Sequence, residues 1–509
     1  MNAVPQDTDV TARWAFDNSY ARELEGASVS WQPAPVRDPR LVFFNAPLAA
    51  ELGLDCTGLA EDRLAQVFSG NRLPAGAEPI AQAYAGHQFG GFSPQLGDGR
   101  ALLWAEVLDP RGQRRDLAFK GSGRTPFSRG GDGLAALGPM LREVLISEAM
   151  HVLGIPTTRA LAVVSTGEGV FRDTVLPGAV LTRVAASHLR VGTFQYFAAR
   201  RDEVRLRRLI DYAIARHDPA LVGTPDAALG LLQAVVARQA RLIAQWMNVG
   251  FIHGVMNTDN MTVSGETIDY GPCAFMEAYQ PLAVFSSIDR QGRYAYARQP
   301  AMAQWNLARF AETLLPWLAG TEDEAVARAT EAINGFAQAY TQTLWTGQRT
   351  KLGLPEGGAD DAADAADAAD AALLADWLDL LEAQAVDFTL AWRGLSDWLA
   401  GDTVPLHTLF PDRAPLEKWL TRWQARIPSA GPDAQAARVR AMRAVSPAII
   451  PRNHRVEEAL SAAQEGDLGP FERLLDAIRH PDDDHPNRRA DRMPAPPEFT
   501  ASYRTFCGT

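Results

Sequence analysis

Lysine is scarce in this chain. Of 49 basic residues only Lys120, Lys351 and Lys418 are lysine; the others are arginine. Cysteine is scarce as well. Cys56, Cys273 and Cys507 are too few for a disulfide framework or a four-cysteine zinc site. Positive charge is in deficit, with 49 Lys+Arg against 61 Asp+Glu and a net charge of −12. Coating DNA or RNA needs clustered positive charge, so that role is disfavoured, whereas a local basic pocket is not. No apolar run reaches the ~20 residues that span a bilayer. The N-terminus has no basic segment followed by an apolar one, and Asp7 and Asp9 count against a mitochondrial presequence. The expectation is a soluble cytoplasmic monomer with no nucleic-acid or membrane partner.

What is present suits a globular protein. The chain has 509 residues, 47% of them apolar, enough for a sizeable core and roughly two to four domain-sized units. Residues 1–80 read as an ordered N-terminal extension with a short helix over Ala49–Leu54. Residues 81–195 read as a small β-rich lobe. In it, ALLWAEVL and DLAFK alternate as strands around an Asp109-Pro110-Arg111-Gly112 turn. A helix follows from Gly138, with Pro139 in its first turn and Gly154 and Pro156 after its end. RALAVVS and GAVLTRVA read as two further strands.

Residues 196–355 read as a larger helical lobe, including an amphipathic segment Ala227–Met247 and an interrupting polar loop, GFIHGVMNTDNMTVSGETIDYGP. Residues 356–372 are an Ala/Asp spacer with aspartates at 361, 364, 367 and 370. Like charges at helical spacing repel, so the expectation is a solvated segment, helical at best in part. Residues 373–509 read as a C-terminal helical region, rich in tryptophan, ending in an extended tail docked on the surface.

Three segments carry chemistry. Lys120 closes a strand, where a compact cation can hold phosphate, and Glu143 on the next helix can pair with it. Leu96–Arg100, LGDGR, places glycines and an arginine before the next strand. It is not a Walker A loop. The third segment is His253-Gly-Val-Met-Asn-Thr-Asp-Asn260, followed by Asp269-Tyr-Gly271. Kinases use His-x-Asp, an Asn five residues after that Asp, and an Asp-aromatic-Gly triplet. Here Asn260 and Asp269 stand at the metal-ligand positions, but Val255 occupies the base position. Asp259 is the available replacement. Arg183 and Arg190, with Arg124, Arg129, Asp132 and Gly133, could line a basic phosphate pocket. The layout is α+β, that of a bilobal protein-kinase-like fold.

The blocks YAGHQFGGFSPQLGDGR, DLAFKGSGRTPFSRGGDG, REVLISEA, GFIHGVMNTDN, DYGPCAFMEAY and PRNHRVEEAL resemble the selenoprotein O family over nearly the whole chain. The resemblance implies a kinase-like protein adenylyltransferase that binds ATP inverted and passes AMP to Ser, Thr or Tyr hydroxyls of protein substrates. It implies that Gly97, Gly99, Arg100, Lys120, Asp132, Gly133, Arg183, Arg190 and Asp269 bind ATP. Glu143 would position Lys120, Asp259 would be the base, and Asn260 and Asp269 would hold Mg2+ or Mn2+. Eukaryotic members carry selenocysteine third from the C-terminus, where this chain has Cys507. A Cys273–Cys507 redox pair is therefore considered. A kinase with a displaced base, or a non-catalytic ATP-binding pseudokinase scaffold, are the alternatives.

Overall fold

The computed structural model describes residues 6–7, 14–355 and 361–506. It combines one large antiparallel sheet with many helices, an α+β arrangement. Seven strands build the sheet: β1 (Ser28–Ser30), β2 (Arg40–Phe44), β3 (Ile80–Gln82), β4 (Ala101–Leu108), β5 (Arg114–Lys120), β6 (Arg159–Phe171) and β7 (Val175–Ala185). Their spatial order is β1-β3-β4-β5-β7-β6-β2. Lys120 ends the central strand and pairs in register with Ala101 on one side and Leu181 on the other.

The sequence dictates β4 and β5 locally. Asp109 Oδ1 accepts from the backbone N–H of Arg111 and Gln113 at 2.9 and 2.8 Å, which fixes the turn between them. A register shift at Trp104 turns its ring onto Phe119, with centroids 5.2 Å apart. Both side chains lie in one buried cluster with Trp14, Leu48, Leu64 and Phe68. Residues before 80 therefore do more than extend the fold: they supply two sheet strands and part of the sheet's core. The short helix expected over Ala49–Leu54 runs instead over Ala46–Glu51, because Asn45 Oδ1 accepts from Leu48 N and Gly53 ends the turn at φ 72°, and two further helices, Ser19–Glu23 and Glu61–Phe68, flank it.

Helix Leu137–Val152 packs against the sheet and is buried on nearly every face. Helix Ala227–Val249 ends at left-handed Gly250 and packs on helices Glu322–Lys351 and Gln299–Leu314. By length and composition it could cross a membrane, but 61% of its most apolar window is buried inside the fold. It is a core helix; Gln233, Arg238, Gln239 and Arg241 break its apolar run.

The Ala/Asp segment departs from expectation. Residues 356–360 lie outside the described residues, but Asp361–Ala383 is one continuous helix. Asp370 is fully buried and pairs with Arg426 at 2.7 Å and Arg349 at 3.3 Å. Asp367 also meets Arg349. These distant arginines neutralise charges that would repel in an isolated helix. The tail differs too. It carries short helices, Arg489–Arg492 and Pro497–Ser502, and Asp484 docks it on buried Arg393 at 2.6 Å.

Candidate functional site

The sheet's Lys120 end faces the loop that interrupts the helical part. Between them lies a cavity of about 680 Å3. Gly97, Gly99, Arg100, Lys120, Asp132, Gly133, Arg183, Arg190, Asp259, Asn260 and Asp269 all line it. Glu143 stands directly behind Lys120 and accepts from its ammonium. The cavity gathers six arginine or lysine side chains against four aspartates in a chain of net negative charge.

Asp269 is the electrostatic centre. Its Oδ1 accepts from Lys120 Nζ at 3.0 Å and from Arg183 Nη1 at 2.7 Å. Burial pushes its carboxyl up, but Arg183, Lys120 and Arg190 outweigh burial and hold it well below the usual carboxylate range. Its backbone is left-handed, with φ 63°, a conformation rarely adopted outside glycine and one that recurs at functional sites. Behind it runs a line of hydrogen bonds. His188 Nδ1 meets Asp116 Oδ2 at 3.0 Å, and Arg183 Nε donates to His188 Nε2 at 3.2 Å. Arg183 thus reaches Asp269 already oriented. Burial pushes His188 down to about 4, so it stays neutral.

The polar loop brings Asp259 and Asn260 to the opposite wall. Strand Phe251–Ile252 leads in, and His253 Nε2 donates to the Ile268 carbonyl at 2.8 Å, tying the loop's two halves together. Asn260 Nδ2 donates to the Val255 carbonyl at 3.0 Å, so its amide oxygen is the atom that could hold a metal. Asp259 is buried; Gln88 Nε2 donates to its Oδ2 at 3.0 Å, while Oδ1 has no partner. Burial pushes its carboxyl up to about 6 against the opposing pull of Gln88 and Arg190. Val255 lines the same cavity without a polar group.

The glycine segment closes the cavity at the sheet's edge. Gly97 has φ 124°, and a Cβ there would lie 2.5 Å from the Phe127 ring. Gly133 has φ 71°, and its Cβ would lie 2.2 Å from backbone at Gly123. Only glycine fits either place. Asp132 is held at the rim by Arg172 at 2.8 Å. Arg129 lines the cavity, whereas Arg124 turns away and donates to the Gly131 carbonyl at 2.9 Å.

Several lining residues were not singled out from sequence: Tyr84, Gln88, Phe89, Asp98, Arg172 and Asn257. The Tyr84 ring lies 4.4 Å from the Arg190 guanidinium. Arg190 also faces buried Asp98 at 4.0 Å. For Tyr84, Gln88 and Phe89 the signal lay in the YAGHQFGG block, whose density of Gly, His and Gln marks a loop under local constraint.

The donor set suits a hard divalent cation. The Asn260 amide oxygen, the Asp269 carboxylate and the unpartnered Asp259 Oδ1 border one cavity. No cluster of three His, Cys, Asp or Glu occurs among the described residues. Magnesium bound with nucleotide phosphates needs only one or two protein carboxylates. Cys273 lies beneath the site, fully buried, its thiol near the Tyr270 carbonyl at 3.4 Å. Burial pushes the thiol up to about 11, which makes it a poor thiolate. Cys507 lies outside the described residues.

Comparison with known proteins supplies the family. The family model described as Protein adenylyltransferase SelO matches residues 13–479. A protein nucleotidyltransferase YdiU from Cereibacter sphaeroides is 58% identical over 97% of this chain and 99% of its own. One from Chromobacterium violaceum is 59% identical over 94% of this chain and 99% of its own. One from Rhizobium etli is 54% identical over the full length of both. The chain belongs to the SelO family of protein adenylyltransferases and is an enzyme of the nucleotidyl-transfer class.

Proposed function

We propose that this enzyme transfers AMP from ATP to Ser, Thr or Tyr hydroxyls of protein substrates. One observation carries the reading. Lys120, Arg183 and Arg190 converge with Asp259, Asn260 and Asp269 on one cavity, while Val255 stands where a kinase has its base. In the reaction, the acceptor hydroxyl oxygen attacks the α-phosphorus. The bond from that phosphorus to the β-phosphate's bridging oxygen breaks, and pyrophosphate leaves. The hydroxyl proton passes to Asp259, whose Oδ1 is unpartnered. Lys120, Arg183, Arg190 and Arg100 supply positive charge for the phosphates and the leaving group. Asn260 and Asp269 would hold Mg2+ or Mn2+, which supplies Lewis-acid neutralisation of phosphate charge when bound.

The same reading makes the architecture kinase-like and bilobal. The sheet with its Lys120–Glu143 pair forms the small lobe and the polar loop belongs to the large one. Inversion of ATP would bring the α-phosphate toward the acceptor. The test uses ATP labelled on the α- or the γ-phosphate. Label reaching protein from the α-position alone supports AMP transfer. Label from the γ-position alone sinks it in favour of a kinase with a displaced base. Nucleotide binding with no covalent product favours a scaffold.

A further inference from the structure

We infer that a groove beside the catalytic cavity docks the acceptor protein, and that it takes a segment carrying acidic residues next to the acceptor hydroxyl. The inference rests on the transfer reading above. The groove has a volume of about 690 Å3, and its lining includes Phe89, Ile288, Arg290, Arg293, Arg298 and Met302. Phe89 and Ile288 also line the catalytic cavity, so the two spaces adjoin at these side chains.

The junction leads to Asp259. Phe89 N donates to Asn257 Oδ1 at 3.1 Å, and the Tyr294 hydroxyl donates to the same oxygen at 2.6 Å. The Phe89 and Tyr294 rings lie 5.2 Å apart. Gln88, the preceding residue, holds Asp259. Phe89 sits at the tip of a hairpin between Gly86–Gln88 and Gly91–Ser93. Phe89 and Gly90 have φ 51° and 87°. Two positive φ angles there favour Asn or Gly. A phenylalanine held in that strained place, 38% exposed at the mouth between two spaces, is better suited to gripping a ligand than to making a turn.

Charge selects the occupant. No carboxylate pairs with Arg290, Arg293 or Arg298 among the described residues. The groove's one acid, Asp289, is buried and accepts from the backbone N–H of Arg293 and Tyr294 at 2.8 and 2.7 Å. Arg298 donates to the Gln291 and Gly292 carbonyls at 3.2 and 3.0 Å and keeps its charge exposed. Arg293 lies 4.9 Å from the Trp305 ring. A chain of net charge −12 thus sets three arginines against one buried carboxylate in a single groove, a net positive lining, which complements an acidic peptide.

The test uses the full-length protein, α-labelled ATP and two synthetic peptides of equal length. Each has one Ser, flanked by Glu in one and by Lys in the other. Wild type is expected to label the Glu peptide with kcat/KM roughly tenfold higher. In the Arg290→Glu/Arg298→Glu double variant this preference is lost or reversed, with the Kd for ATP unchanged. Equal labelling of both peptides by wild type overturns the inference, as does a preference that survives in the variant. A fall in ATP affinity in the variant also overturns it, because the groove would then serve the nucleotide. Label on the enzyme itself but on neither peptide overturns the docking inference alone. No α-label on any protein overturns the transfer reading.

Discussion

At the scale of single residues, the site is organised around Asp269 rather than around Lys120. Scarcity made Lys120 stand out in the sequence, and its partner Glu143 was legible from helix position. The hydrogen-bonded line from Asp116 through His188 to Arg183 was not legible, because its members are separated in sequence and join only when β5 and β7 pair. It gives a sharp expectation. His188→Phe keeps the ring volume but leaves Arg183 Nε without an acceptor, so transfer should fall about tenfold. His188→Gln, whose amide can accept from Arg183 and donate to Asp116, should retain most activity. Steady-state kinetics on both variants check this, and equal losses would mean that His188 only fills space.

The two loop aspartates separate by a different pattern. Asp259→Asn keeps shape and removes the proposed proton acceptor. It should lower kcat by roughly 10²–10⁴ while ATP still binds. Asp269→Ala removes the proposed metal ligand and strips Lys120 and Arg183 of their shared anion. It should abolish transfer and weaken metal-dependent nucleotide binding. Nucleotide titration with and without Mg2+, beside transfer assays, distinguishes the two. Full activity in Asp269→Ala would break the assignment of that residue to the metal.

At the scale of elements, the long strands and the helices around the site were readable, since Asp109, Gly154 and Gly250 punctuate them. The Ala/Asp segment was not. Its composition shows aspartates three apart and nothing of their partners. Arg349 lies on the preceding helix and Arg426 on a later one, and together they turn Asp370 into a buried cross-link. Removing one member of a buried ion pair strands the others, at about 3–5 kcal/mol. Asp370→Ala should therefore lower Tm by several degrees, whereas Asp376→Ala, on the same helix but half-exposed against Arg422, should change it little. Thermal denaturation of the two variants decides. Equal, small shifts would return the segment to the status of a spacer.

At the scale of the whole molecule, the sequence predicted an acidic protein with a local basic pocket, and the structure has such a pocket. What composition could not show is how far the fold removes a charge from water. Lys351, one of the three lysines, is 2% exposed. Its Nζ lies 5.2 Å from the Trp392 ring and 5.8 Å from that of Phe388. No acidic side chain pairs with it among the described residues. Burial pushes it down to about 7 from 10.5. Between those values the unfolded chain holds a proton that the folded chain lacks, so stability rises with pH from about 7 to about 10.5. Below 7 both states are protonated and the penalty is constant. Cation–π attraction offsets part of it. Lys351→Met keeps the stem and deletes the charge. It should stabilise the protein most at pH 6–7, by on the order of 4 kcal/mol at most, and the advantage should shrink as pH rises toward 9. Denaturant unfolding of both proteins across pH 6–9 measures this. Parallel curves would mean that Lys351 stays charged inside the fold, with the aromatic faces of Trp392 and Phe388 as sufficient compensation.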